Sequence, residues 1–189
     1  MKHQINEIIQ IQSGIYAKPA INGDVLYLLA RHLREDGSVD PLVRPNLVLP
    51  DAGRKNLLQD GDVIFVAKGT NNRAVTYHSG FGPMVASSSL LVFRIKSEWT
   101  SSVLSDYLIW FFNHPDTQQK LKREAKGTAL PSISIQTLHQ LQIDIPSLDN
   151  QNQIITISRL RAKETQLILE LDQLKEKSIQ QRLLQATHK

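Results

Sequence analysis

From residue 149 to 185 the chain contains neither proline nor glycine and is rich in Leu, Gln, Glu and Lys. Nothing there interrupts a helix. Ile157, Leu160, Leu167, Leu171 and Leu174 fall on a and d heptad positions, with Glu164 and Ser178 as polar a positions. Apolar residues held to that spacing over about three heptads make a coiled-coil seam. At ~1.5 Å per residue the helix is about 50 Å long, too long to bury its seam against a small domain at one end. The sequence has no second heptad segment, so the seam calls for a partner helix from another copy or another protein.

What precedes the helix has two patterns. Up to about residue 100, short apolar runs alternate with turn signals, which predicts strands joined by loops. Val25–Ala30, Val63–Lys68, Ala74–His78 and Leu90–Ile95 are the clearest runs, and Asp60-Gly61 marks a turn before the second. Pro41, Pro45 and Pro50 make the intervening region loop or edge strand. From 102 to 126 the period changes. Val103, Leu104, Tyr107, Leu108, Phe111 and Phe112 recur at steps of three and four, which predicts a helix with one apolar face. Pro115 stops it and opens a second helix that Gly127 closes, and a short strand is expected at Gln142–Ile145 before Pro146. The expected fold class is α+β: a mixed, β-rich domain with a few helices, followed by a long C-terminal coiled-coil helix.

The 189 residues, 41% apolar and 21% charged, suffice for a core without metal or disulfide staples. Cysteine is absent, which removes disulfides, thiolate zinc sites and Cys nucleophiles together. Met1–Glu7 carries an acid and amides where a secretory signal needs an apolar run, and no stretch reaches the ~18 apolar residues of a membrane span. A cytoplasmic, soluble protein without membrane contact is expected. The net charge of +4 is too small to identify a nucleic-acid binder by itself; clustering has to do so.

Catalytic patterns fare poorly. Pro115-Asp116 followed by Glu124-Ala125-Lys126 has the letters of a PD…ExK metal-dependent nuclease. Here all of them fall in a helical stretch, where Asp116 suits the first turn and Lys126 the last. Gly80-Phe81-Gly82 lacks the third glycine of a dinucleotide fingerprint, and Pro83 breaks the helix it needs. The six histidines are scattered without ligand spacing, and no nucleophile elbow, P-loop or H-E-x-x-H occurs. No catalytic residue, metal site or cofactor is expected. Between residues 54 and 96, by contrast, Arg54, Lys55, Lys68, Arg73, Arg94 and Lys96 outnumber the acids. Lys68-Gly69-Thr70-Asn71-Asn72-Arg73 offers cations for phosphate, and Asn and Arg side chains able to read adenine or guanine edges, although a polar hairpin loop has the same residue types for turn reasons alone.

Three segments then carry a resemblance. Gly61-Asp62-Val63-Ile64-Phe65-Val66-Ala67-Lys68-Gly69-Thr70 resembles the G-D-(I/V)-(L/I)-F…(K/R)-G-T segment of the specificity (S) subunits of type I restriction–modification systems. Lys126-Gly127-Thr128-Ala129-Leu130-Pro131-Ser132-Ile133-Ser134 resembles their K-G-T-x-x-P-x-(I/L)-S segment. Leu138 to Pro146, with Gln151 and Ile154 after it, resembles the segment that follows, and the long helix comes where that family has its conserved helix.

The resemblance implies a target recognition domain over 1–148, a spacer and dimerisation helix over 149–185 and a tail at 186–189. It implies no catalytic activity. Such a subunit reads one half of a bipartite site in double-stranded DNA per recognition domain. It docks methyltransferase (M) subunits and, through them, the nuclease (R) subunit. Family members usually carry two such units in tandem with antiparallel helices; this sequence carries one, which fits the demand for an external helix. A homodimer through the helix, with Ile157, Leu160, Leu167, Leu171 and Leu174 at the interface, would rebuild the two-domain form and read a palindrome. The expected DNA contacts are Lys68, Thr70, Asn71, Asn72 and Arg73 beside the matched segment, with Arg31, Arg34 and Arg44. Two other classes stay open on the residues alone: a nuclease using Asp116, Glu124 and Lys126, and an interaction adaptor whose head does not touch DNA.

Overall fold

A computed structural model of the chain describes residues 2–20, 22–34, 39–40, 42–69, 71–125, 127 and 131–187. In chain order the elements are β1 (Lys2–Gln4), α1 (Ile5–Ile8), β2 (Ile9–Ser13), β3 (Leu26–Leu28), β4 (Val63–Val66), β5 (Ala74–Thr76), β6 (Met84–Ala86), β7 (Leu90–Ile95), α2 (Ser105–Asn113), α3 (Pro115–Glu124), α4 (Ile135–His139), β8 (Gln142–Asp144) and α5 (Leu148–Thr187). Single 3₁₀ turns lie at Ala30–His32, Asp51–Asn56, Ser79–Phe81 and Ser97–Trp99. Two compact units divide the chain, Met1–Gln151 and Asn152–Lys189.

The first unit is organised by a four-stranded sheet in the order β2-β7-β4-β5, antiparallel throughout. β4 reads Val-Ile-Phe-Val and is buried at all four positions, as a central strand covered on both faces should be. The register Ile64↔Val92 and Val63↔Phe93 sets the two faces, since side chains alternate along a strand. One face carries Phe65 and Phe93, stacked at 5.4 Å between ring centroids, and Phe112 of α2 closes on them at 5.7 and 4.8 Å. All three rings are fully buried, and this trio fastens α2 to the sheet. The opposite face carries Ile64, Val66, Val75, Leu90 and Val92, packed in one core with Leu26, Leu28, Met84 and Ala86.

Those last four residues come from β3 and β6, which pair in parallel. Alternation works again here. Val25, Tyr27 and Val85 point the other way, into a smaller core with Leu47 and Leu49. The proline-broken region thus supplies no long strand, but it is anchored by its leucines and by the Val25–Leu47 bridge. Pro115 opens α3 at its first turn, where the missing N–H is no loss, and the His114 side chain accepts the Asp116 N–H. β1 pairs with β8 across the length of the unit.

In the second unit residues 152–187 continue α5 as one uninterrupted helix. Among the described residues, no helix is long and apolar enough to cross a membrane.

Candidate nucleic-acid interface

The hairpin from β4 to β5 is closed by backbone. The Val66 N–H donates to Arg73 O at 2.8 Å, and residues 67–73 form the loop beyond it. Segment 131–133 is laid against that loop as an added strand: Gly69 N–H to Pro131 O at 2.8 Å, Ile133 N–H to Ala67 O at 2.9 Å, and a bridge between Lys68 and Ser132. Gly69 has φ of +106° and Gly127 has +104°, a region that glycine enters without steric cost. A Cβ on Gly69 would meet nothing within 4 Å, so the glycine there serves the backbone conformation and not close packing. Residues 67–69 of the loop are therefore braced by part of the second matched segment.

Of the hairpin residues named from sequence, Lys68 and Asn71 are exposed and Arg73 is half-buried. Thr70 lies outside the described residues, as do Lys126 and Thr128–Leu130 of the second matched segment. Asn72 does not belong with the exposed donors. It is 5% exposed and its Nδ2 donates to Val66 O at 2.8 Å, so its amide closes the hairpin from inside and cannot reach a base. The Arg73 Nε is buried and, among the described residues, has no hydrogen-bond partner. Next along the chain, Asn113 at the end of α2 holds both backbone groups of Ala74, accepting its N–H at 2.8 Å and donating to its carbonyl at 2.9 Å. That side chain completes the free edge of β5 as a strand would. Its signal in the sequence was only an Asn at a helix end, which reads as a cap.

Arg31, Arg34 and Arg44 form a separate group. Arg31 and Arg34 are exposed around the Ala30–His32 turn, Arg34 pairs with Asp40 at 3.2 Å, and the Asp40 N–H donates to His32 O at 2.8 Å. Arg44 is exposed at the rim of a hollow of about 410 Å³ that it shares with Phe81 and Pro83.

The basic run between residues 54 and 96 shrinks once its partners are known. Arg94 is engaged by Asp62, which lifts its pKa above the ordinary guanidinium value chiefly through their hydrogen bonds. Lys96 donates to Asn6 O at 2.6 Å. Both line a hollow of about 740 Å³ with Asp60, Asp62 and Glu98, which is thus left without a free cation for an anionic ligand. Asp60 itself is held below the usual carboxylate range by the Ser79 backbone N–H.

The nuclease arrangement fails on distance. Asp116 is in the first turn of α3 and Glu124 is its last residue, about 12 Å apart along the axis. Carboxylates sharing one metal must each reach within about 2–2.5 Å of it. Lys126 lies outside the described residues.

The sequence profile of the family described as "Type I restriction modification DNA specificity domain" matches residues 29–178. Comparison with curated proteins gives no match. Among solved structures, the type I restriction–modification S subunit from M. genitalium superposes with a TM-score of 0.58 at 13% identity, over 94% of this chain and 42% of that one. The HsdS subunit from Thermoanaerobacter tengcongensis gives 0.57 at 14% identity, over 87% and 37%. A chain described under complex assembly and conformational transition of the type I R-M system gives 0.63 at 14% identity, over 88% and 39%. At these identities the likeness is one of fold. The chain spans about two fifths of the length of each.

Proposed function

The chain belongs to the family of type I restriction modification DNA specificity domains, whose role is DNA recognition and not catalysis, and we propose that it reads one half of a bipartite site in double-stranded DNA. The observation that carries this reading is the pairing of 131–133 with 67–69. It joins the two family-like segments, more than 60 residues apart along the chain, at one hairpin loop on which Lys68 and Asn71 are exposed and Arg73 is half-buried. A cation for phosphate beside amide and guanidinium donors for base edges is the combination that sequence-dependent binding needs. Thr70 completes the proposed contact set on the hairpin, and Arg31, Arg34 and Arg44 add a second, separate set.

The proposal extends to assembly. Ile157, Leu160, Leu167, Leu171 and Leu174 are between 51% and 65% exposed on α5, an apolar seam without a cover. An antiparallel homodimer through that seam supplies the second reading head, and methyltransferase subunits, with the nuclease behind them, dock on the resulting assembly. The protein then acts in the cytoplasm, where such a complex meets DNA.

Sedimentation equilibrium of the purified chain, followed by selection from a random duplex library, tests the reading. A dimer that enriches a two-part palindrome is expected. A chain that retains no duplex would overturn DNA recognition and favour an adaptor role for the helix.

A further inference from the structure

Helix α3 begins next to a residue that holds the reading hairpin. Ahead of its start, Asn113 grips both backbone groups of Ala74, the residue after Arg73. Beyond its end the chain returns through Pro131 and Ile133 to Gly69 and Ala67. Its 10 residues span about 15 Å, and the helix packs against α2 and α4. Thr117 and Leu121 face the core. Lys120, Lys122 and Arg123 are exposed and crowd the half of the helix that leads back to the hairpin.

Several cations elsewhere in the unit are engaged by protein groups. Arg34, Arg54 and Arg94 are paired with Asp40, Asp51 and Asp62, and Lys96 holds a backbone carbonyl. Lys120, Lys122 and Arg123 make no ion pair or side-chain hydrogen bond among the described residues. The acids of the same helix leave them in surplus: Asp116 lies at the far end beside His114, at 3.9 Å, and Glu124 is the one other acid of the helix.

We propose that the cationic half of α3 is a second, sequence-independent part of the DNA interface, where Lys120, Lys122 and Arg123 contact backbone phosphates next to the step read by the hairpin. This rests on the DNA-reading function proposed above and adds to it the element that sets affinity while the hairpin sets sequence. Phosphate contacts position a protein on the duplex and carry no base information, and exposed cations on the helix that follows Asn113 are suited to that role.

The test is fluorescence anisotropy of the full chain on a labelled mixed-sequence duplex, across roughly 50–200 mM salt. Each phosphate contact contributes a slope of about −0.9 to log K against log salt. The triple variant Lys120→Gln/Lys122→Gln/Arg123→Gln is expected to flatten that slope by about 2 to 3 and to weaken binding equally on every duplex. A control removing equal charge, Lys18→Gln/Arg54→Gln/Lys55→Gln, is expected to leave the slope within about one contact of the parent. Cations placed at the helix end only to complement its dipole would change the melting temperature and leave the slope alone. A parent that binds with a salt slope the triple variant does not alter overturns this inference and spares the DNA-reading function; a parent that binds no duplex overturns both.

Discussion

Arg94 grips Asp62 with two parallel hydrogen bonds, Nε to Oδ1 at 2.8 Å and Nη2 to Oδ2 at 2.6 Å. The antiparallel register Val63↔Phe93 brings them face to face one step beyond the β4–β7 pairs. Asp62 is 2% exposed and accepts one further N–H, from Gln59 at 2.8 Å. Removing the guanidinium leaves a buried carboxylate with a single donor, which costs on the order of 3 kcal/mol. Arg94→Met is expected to lose that much in urea unfolding, and Asp62→Leu/Arg94→Met to recover a good part of it, because an apolar pair replaces both charges together. Losses that add in the double variant would show the pair uncoupled.

Asn72 makes a sharper case because it stands between the exposed Asn71 and the half-buried Arg73. Its amide donates to a buried backbone carbonyl, and losing that donor costs about 1–2 kcal/mol. Asn72→Ala is therefore expected to lower the melting temperature, and Asn72→Asp to lower it further by turning a carboxylate toward Val66 O. If Asn72→Ala melts as the parent does while its DNA affinity drops, the side chain is a reader and not a brace.

Why sequence distinguished the hairpin but not its residues follows from what periodicity can report. β7, α2 and α5 have apolar patterns of their own, β4 is a continuous apolar run and α3 is bounded by Pro115 and Gly127, and the sequence locates each to within a few residues. β1, α1, β6 and α4 are three to five residues long and exist because something distant completes them, as β8 completes β1. The same holds in the site. That Lys68 and Asn71 lie in a loop follows from the apolar runs on either side. That Asn72 turns inward while Asn71 is exposed depends on how the loop closes, and the bracing by 131–133 is a contact across more than 60 residues that no local pattern encodes.

Gln151 is fully buried and uses its whole side-chain amide: Oε1 accepts the Leu104 N–H at 3.0 Å, and Nε2 donates to Ser102 O at 2.7 Å and Pro146 O at 2.9 Å. It pins the first turn of α5 to the approach to α2, which gives a physical reason for a glutamine at the start of the long helix. Gln151→Glu keeps the acceptor but sets an oxygen against two carbonyl oxygens. It is expected to destabilise by about 2–4 kcal/mol, more than Gln151→Leu does. Equal melting temperatures for parent and Gln151→Glu would show these bonds to be replaceable by water.

Burial, and secondarily the Arg31 charge, hold the pKa of His32 below its ordinary value, while Asp40 opposes them. The neutral ring accepts the Leu29 N–H at Nδ1, at 3.2 Å. Because the folded pKa is the lower one, the unfolded chain binds this proton first as pH falls. The contribution of His32 is thus complete above about pH 6.5 and declines as pH drops below it toward the folded pKa. His32→Gln, which accepts the same N–H without titrating, is expected to flatten the acid side of the stability profile. An NMR titration placing the His32 midpoint at or above 6.5 would contradict this.

The seam of α5 makes its own register prediction. In an antiparallel pair an a position faces a d position of the other helix. The pairing that buries the most apolar side chains sets Ile157 against the partner's Leu174, Leu160 against the partner's Leu171, and Leu167 against the partner's Glu164. Glu164 is then the polar defect on each side of the two-fold axis, held in the single chain by an exposed pair with Arg161 at 2.8 Å that is worth less than about 1 kcal/mol. Glu164→Leu fills both defects, each leucine contributing about 1.5 kcal/mol or more, so dimerisation is expected to tighten by at least about a hundredfold. Leu167→Asp sets like charges opposite one another and is expected to give a monomer whose first unit still folds. Sedimentation equilibrium of the two variants reads both signs at once. A Leu167→Asp protein that remains a dimer removes the seam from the interface, whereas a Glu164→Leu protein of unchanged affinity keeps the seam but moves the register.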